Sequence, residues 1–332
     1  MVTKVAFLGP EGTYTHQAVI QQFGNKDNVS IYPVKTISDC FKEIHSKNVD
    51  FAVVPLENSI NGGVVFTFDL IRDWFIPSLQ NNSRQNDDSG FLSPPPSSKT
   101  TTSSTSSKPT FRIVAEQFVS IHHNFLTRAE DVSKITCIYS HPQVWTQVTG
   151  FLSTIPASIP RIDSTSTSKA AELVNGDESN TSACISSQMS SDLYQLPIRN
   201  ANIEDNPNNT TRFLVLGYEK PPAPSPSPAP EVGEPERPDS RITSIIFTLN
   251  HNDPGALCDV LYEFKKNGVN LTSITSRPSH LKQWQYVFFA EVIGDSSSDA
   301  NIAKGIESAS SICSELVVLG SFDRSWRYWK SS

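Results

Sequence analysis

Apolar positions in the first 218 residues follow two alternating periods. KVAFLG (residues 4–9) and FAVVPL (51–56) are almost continuously apolar, which predicts strands buried on both faces. Between them, Ile37, Cys40, Phe41 and Ile44 recur at helical spacing in ISDCFKEIHSKNV, residues 37–49. A helix is expected around residues 15–23, a strand-like run at VSIYPV (29–34), and a helix over 64–74 carrying Phe66, Leu70, Ile71 and Trp74. Further on come a strand-like run before His122, KITCIY (134–139), a helix near 142–152 and ASIPRID (157–163). A helix near 166–175, SACI (182–185), a helix near 187–194 and RFLVLG (212–217) complete the series. Strands alternating with helices predict an α/β sheet domain, whose ligands sit outside the carboxyl ends of the strands.

From residue 241 the pattern changes. Strands over 241–250, 269–276, 284–293 and 315–322 and helices over 254–268 and 299–310 give the order βαββαβ, which is ferredoxin-like. That topology alone fits a packing or dimerising module equally well.

Composition sets the divisions. Residues 80–110 are rich in Ser, Thr, Pro and Asn and nearly free of aliphatic residues, as a surface insertion would be. Residues 219–240 are Pro-rich and acidic, the character of an extended linker. The chain of 332 residues thus divides into 1–218 with its insertion, a linker over 219–240, and 241–332. No apolar run reaches the 18 or so residues of a membrane span, and the first residues read as a buried strand, without the pattern of a secretory signal. Net charge is −7 without a basic block, which argues against nucleic acid as partner. Cys40, Cys137, Cys184, Cys258 and Cys313 lie far apart, without a C-x-x-C or metal-ligand spacing, so free thiols in a reducing, cytoplasmic compartment are expected.

The stretch KVAFLGPEGTYTHQAVIQQFG raises the question of a bound anion at a helix N-terminus. Its glycines, Gly9 and Gly12, are spaced G-x-x-G, short of the dinucleotide fingerprint, and there is no P-loop. The ends of the other predicted strands share a polar character. Gly12 and Thr13 follow the first, Asn58 and Ser59 follow FAVVPLE, Ser140 and His141 follow TCIY, and Ser164 and Thr165 follow RID. Thr211, Arg212 and Phe213 open the last strand. Each Ser, Thr or Asn suits a helix cap, and Ser140 with Gln143 has capping-box spacing. Together these residues also describe a small pocket rich in donors, suited to carboxylates without metal or cofactor. Ser140 and Gln147 lie about two helical turns apart and can share the crevice. No G-x-S-x-G, H-E-x-x-H or acid pair occurs, and His122 and His123 read as surface or core residues. The chemistry is expected to rest on orientation and hydrogen bonds.

Six segments carry a resemblance to a known family: GPEGTYTHQA (9–18), VVPLENSINGG (53–63), YSHPQVWTQ (139–147), STSTSKAA (164–171), ISSQMSSDLY (185–194) and NTTRFLVL (209–216). Outside the insertion and linker the chain resembles prephenate dehydratase fused to an ACT regulatory domain. The resemblance implies two α/β lobes, like a periplasmic binding protein, with the active site in the cleft. It implies that Thr211 is closest to catalysis, that Ser140 and Gln147 act with it, and that Asn58, Ser59, Thr13, Ser164, Thr165 and the Thr-Arg-Phe triplet bind substrate, Arg212 meeting a carboxylate. The implied reaction turns prephenate into phenylpyruvate with loss of CO2 and water, without cofactor. In the second domain Gly255, Ala256, Leu257, Ser276, Arg277 and Pro278 resemble the two phenylalanine-binding motifs of such ACT domains, with Thr275 where the family usually has Glu. Feedback inhibition by L-phenylalanine and a homodimer or dimer of dimers are implied. Arogenate as substrate and a non-catalytic binding or sensor protein are the competing readings.

Overall fold

The computed structural model describes residues 2–24, 28–76, 109–224, 241–250, 252–280, 282–325 and 327–328. Almost all of the 80–110 insertion and most of the linker lie outside the described residues. Three sheets organise the rest.

The first lobe holds β1 (Thr3–Leu8), α1 (Tyr14–Phe23), β2 (Val29–Val34), α2 (Ile37–His45), β3 (Phe51–Asn58), β4 (Gly62–Gly63), α3 (Val65–Phe75) and β5 (Arg112–Ser120). It is completed by β11 (Thr210–Gly217), which returns from the second lobe and inserts between β3 and β5, giving the order β2-β1-β3-β11-β5. The strands β1, β2 and β3 are parallel, while β11 runs antiparallel to both neighbours. This brings the start of β11 to the carboxyl end of β3, with Thr211 opposite Asn58.

The second lobe contains β6 (Asn124–Thr127), β7 (Cys137–Ser140), α4 (Thr149–Leu152), β8 (Arg161–Asp163), α5 (Thr167–Asn175), β9 (Ser182–Ser186), α6 (Gln188–Tyr194) and β10 (Ile198–Asn200), in sheet order β10-β6-β9-β7-β8. The chain crosses between lobes twice, through residues 121–123 and 201–209, and the crossings bond to each other through Ile121 N to Asn209 O (2.8 Å) and Ile203 N to His123 O (2.8 Å). The result is a two-lobed α/β architecture with a cleft between the sheets.

The third sheet is built from β12 (Arg241–Thr248), β13 (Leu271–Pro278), β14 (Tyr286–Ile293) and β15 (Glu315–Asp323), with α7 (Ala256–Lys266) and α8 (Ala300–Ile312), in the order β13-β14-β12-β15. It is antiparallel throughout, the ferredoxin-like βαββαβ arrangement.

Packing follows the apolar pattern. Ile37, Cys40, Phe41 and Ile44 are the buried face of α2. The first sheet buries both faces in different partners. One face joins Val5, Phe7, Val19, Phe51 and Phe213 beneath α1. The other shares a core with α2, α3 and the third sheet, including Phe41, Phe68, Leu214, Ile246, Phe289 and Phe322. The third sheet is therefore fused to the first lobe by hydrophobic burial.

Some expectations change. The helix near 142–152 is broken into a 3-10 turn, Pro142–Val144, and the short α4, because Val148 leaves helical geometry at φ −133°. His141, rather than Ser140, caps that turn, its Nδ1 accepting from Gln143 N at 3.3 Å. The strand over 157–163 contracts to β8, and β6 and β10 carried too few residues for their periodicity to stand out.

Candidate active site

Local rules shape the lobe edges. Thr13 caps α1 by accepting from His16 N at 3.3 Å, and its hydroxyl donates to Pro10 O at 2.9 Å. Ser166 and Ser187 cap α5 and α6 in the same way. The loop before α1 is docked on the second lobe: Gly12 O accepts from Ser187 Oγ at 3.1 Å and from Ser190 Oγ at 3.0 Å, and Glu11 O accepts from Ser168 Oγ. Gly12 sits at φ +81°, and a Cβ there would lie 2.6 Å from Ser168 Oγ, so glycine is required by both backbone and space. Gly12 N donates to His16 Nδ1 at 3.0 Å.

Between the lobes runs a continuous polar chain. Asn58 Nδ2 donates to Thr211 Oγ1 at 3.0 Å and to Asn209 Oδ1 at 2.7 Å. Asn209 Nδ2 donates to Gln147 Oε1 at 3.1 Å. His123 Nε2 meets the same Oε1 at 2.8 Å, and His123 Nδ1 lies 3.3 Å from the Tyr14 hydroxyl. Thr211, Asn58 and Tyr14 belong to the first lobe, Gln147 to the second, and His123 and Asn209 to the two crossings. Thr211, Asn58 and Gln147 are half-buried, while His123 and Asn209 are each 1% exposed. Burial holds the His123 imidazole below its ordinary pKa, against the raising effects of the Gln147 bond and Glu204. Burial, then the Glu204 charge, pushes the Tyr14 phenol up, so Tyr14 stays protonated.

The structure thus gathers Thr211, Asn58 and Gln147 as the sequence led us to expect. It adds His123, Asn209 and Tyr14. Asn209 was legible in the NTTRF segment; His123 followed a strand-like run without spacing to mark it.

Other expected site residues are engaged elsewhere. Ser140 is fully buried and donates to Ile185 O at 2.8 Å, joining β7 to β9. Ser59 Oγ accepts from Thr210 N at 2.9 Å, a clip at the start of β11. Ser164 Oγ donates to Ser166 O at 2.7 Å, and Thr165 is exposed. Phe213 is 2% exposed within the core under α1, where it packs without reaching the cleft.

Arg212 is the main correction. Successive strand residues point to opposite faces, so Arg212 leaves the cleft that Thr211 enters. Its Nε donates to Glu116 Oε2 at 2.8 Å, and its two terminal nitrogens donate to the Glu291 carboxylate at 2.8 and 2.7 Å. Burial alone would lower the guanidinium pKa, but Glu116 and Glu291 outweigh it and hold it above its ordinary value. The group expected at a substrate carboxylate instead joins β11 to the third sheet.

In the third-sheet unit Gly255 opens α7 at φ +89° with open space around it. Arg277 makes two bonds of 3.0 Å to Asp69 of α3, and Arg72 donates to Pro278 O at 2.7 Å. A cavity of about 30 Å³ lies between the sheets, lined by Glu57, Phe68, Arg212, Ser273, Thr275 and Glu291 among others. A broad depression of about 610 Å³ lies elsewhere, between α8 and β15, with no residue of either lobe. Among the described residues no group of three or more His, Cys, Asp or Glu could hold a metal ion, and no helix is long and apolar enough to cross a membrane.

Comparison with known proteins identifies the family. The family model for prephenate dehydratase matches residues 5–221, and that for the ACT domain matches residues 243–304. A probable prephenate dehydratase of Saccharomyces cerevisiae is 33% identical, the match covering 98% of each chain. A bifunctional chorismate mutase/prephenate dehydratase of Pseudomonas aeruginosa is also 33% identical, over 97% of this chain and 73% of that one. The structure of prephenate dehydratase from Arthrobacter aurescens in complex with L-Phe shares the fold at a TM-score of 0.72 and 24% identity, covering 96% of this chain and 90% of that one. With two lobes, a polar cleft at the start of β11 and an ACT domain packed behind it, the chain belongs to the prephenate dehydratase family.

Proposed function

We propose that the cleft at Thr211 converts prephenate to phenylpyruvate, and that Thr211 assists departure of the ring hydroxyl. The observation that carries this is the Asn58–Thr211 bond. Asn58 Nδ2 takes a lone pair of Thr211 Oγ1, and among the described residues nothing accepts the Thr211 hydroxyl proton. That proton is therefore available to a substrate oxygen.

The electron pair of the bond to the ring carboxylate becomes a ring double bond as CO2 leaves. The pair of the carbon–hydroxyl bond departs with oxygen, which is protonated to water. The ring becomes aromatic, which drives the step. Threonine is a weak acid, so its hydrogen bond stabilises charge developing on the leaving oxygen, while solvent supplies the net proton. The free NH2 of Gln147 suits a substrate carboxylate as a second donor. In this scheme Ser140 acts by holding β7 and β9 in register, away from the substrate.

We place the catalytic domain at residues 1–218 and the regulatory ACT domain at 241–332, with 219–240 as linker. Phenylalanine is proposed as an inhibitor bound at the Gly255–Leu257 and Ser276–Pro278 segments. The L-Phe complex of the Arthrobacter relative and the open α-helix start at Gly255 support this. A homodimer, or a dimer of dimers, in the cytoplasm completes the reading; the free cysteines fit a reducing compartment.

The test is product formation from prephenate and from arogenate, measured separately at neutral pH, with Thr211→Ala and Thr211→Ser. Phenylpyruvate from prephenate, reduced about 100-fold or more in the alanine variant and largely kept in the serine variant, is expected. Full turnover by a folded Thr211→Ala protein would overturn the role of Thr211. Turnover of arogenate alone would change the substrate, and turnover of neither would leave a binding protein.

A further inference from the structure

The Gln147 amide has a fixed polarity that can be traced back to the backbone. The N–H groups of Ile60 and Asn61 can only donate, so the Asn58 atom they meet at 3.0 and 2.9 Å must be Oδ1. The Asn58 NH2 therefore faces Thr211 and Asn209. Asn209 must answer with Oδ1, 2.7 Å away, which turns its own NH2 toward Gln147. Gln147 must present Oε1 there. The same Oε1 lies 2.8 Å from His123 Nε2, so that nitrogen carries a proton and donates. Two donors grip one side of the amide. The Gln147 NH2 points away from them and has no protein acceptor among the described residues.

We propose that His123 is a positioning residue for the reaction: its Nε2–H holds Gln147 with NH2 turned toward a substrate carboxylate. This rests on the reading of Gln147 given above. His123 is itself tightly fixed. Its backbone N–H donates to Glu204 Oε2 at 2.9 Å, and its carbonyl accepts from Ile203 N at 2.8 Å. Its ring edge meets Tyr14, whose hydroxyl proton is shared between His122 O at 2.8 Å and the unprotonated His123 Nδ1 at 3.3 Å. Asn209, the other holder of Gln147, lies on the opposite crossing. The amide is thus oriented by both connections between the lobes. Without the imidazole donor a single bond from Asn209 remains, and a rotated amide would set its oxygen against the substrate carboxylate, two acceptors facing each other.

The discriminating pair is His123→Gln and His123→Met, similar in length, of which only the first keeps an N–H near the position of Nε2. The methionine variant is expected to lose about 10–100-fold in kcat/KM, and the glutamine variant to stay within about threefold of the parent. In a Gln147→Ala background, His123→Met should change kcat/KM by less than about twofold, because the residue it orients is gone. Equal losses in both backgrounds, or equal losses for Gln and Met, would make His123 merely structural and overturn the proposal. A nitrogen-15 spectrum of the unmutated protein gives a readout independent of folding of the variants: His123 is expected with its proton on Nε2, and an Nδ1–H tautomer alone would overturn the proposal. Gln147→Ala with full turnover would instead remove the reading of Gln147 on which it rests. An impaired Gln147→Ala beside an unimpaired His123→Met would sink the proposal alone.

Discussion

Arg212 of β11 and Glu291 of β14 form two parallel N–H···O bonds, at 2.8 and 2.7 Å, across the boundary between the first lobe and the ACT domain. Glu116 of β5 completes the cluster, with its side chain fully buried. Thr211 precedes Arg212 on the same strand and faces the other way. The Thr211 end of the cleft is thereby tied, through one strand, to the sheet of the ACT domain.

Breaking this cluster should cost stability unequally. Arg212→Met leaves Glu291 without its cation and Glu116 with only the more distant Arg324, at 3.8 Å, and should destabilise by about 3 kcal/mol. Glu291→Ala leaves Arg212 with Glu116 and should cost less. Urea unfolding of both variants measures this; equal losses would mean that the Glu116 bond contributes little.

Asn58→Asp separates two roles of one side chain. The carboxylate can still accept from the N–H groups of Ile60 and Asn61, so the turn after β3 should persist. The donor to Thr211 and Asn209 is lost, and an acceptor faces Asn209 Oδ1. A melting temperature lowered by only a few degrees, with kcat lowered about 100-fold, is expected. Near-normal kcat would show that Thr211 needs no orienting bond.

The Asp69–Arg277 pair links α3 of the first lobe to the Ser-Arg-Pro segment of the ACT domain. If phenylalanine acts through that segment, Asp69→Ala should keep basal turnover and weaken inhibition by about fivefold or more, the scale of an allosteric coupling. Inhibition curves that superimpose on the parent's would exclude this contact from the route.

Acid should loosen the loop at Gly12. His16 is neutral when its Nδ1 accepts from Gly12 N, and burial lowers its pKa from the ordinary 6.5, with Glu11 opposing. Burial lowers His123 and His141 as well. A depressed histidine pKa means that the unfolded chain takes up the proton first. The stabilising contribution is whole above pH 6.5 and is lost as pH falls from there through the folded-state values. Melting temperature should fall across that window. His16→Asn, whose Oδ1 can accept from Gly12 N at any pH, should flatten part of the fall; an identical slope would assign it to other groups.

Periodicity carried the helices and central strands because their cores are one-sided or fully apolar, as Ile37, Cys40, Phe41 and Ile44 on α2 show. The same logic failed over residues 142–152, where a cap from His141 and a break at Val148 replace one helix with two short pieces. Short strands such as β6 and β10 hold too few side chains for a period to register. Thr211 and Asn58 were legible as polar residues at strand ends, and Gln147 only through its helical spacing from Ser140, a spacing that the broken helix does not keep. His123 was not, since a histidine between two strands has no spacing that distinguishes a buried donor from a surface residue.

Local chemistry thus determined the elements, the two domains and the residue types at the strand ends, because those depend on neighbours within a few positions. Whether a side chain enters the cleft depends on the insertion of β11 between β3 and β5, on the crossings that bring Asn209 to Gln147, and on a sheet packed from behind. That is why Thr211 and Arg212, adjacent in sequence, end on opposite faces: pleating separates them, and Glu116 of β5 together with Glu291 of the third sheet supplies the carboxylates that receive the arginine.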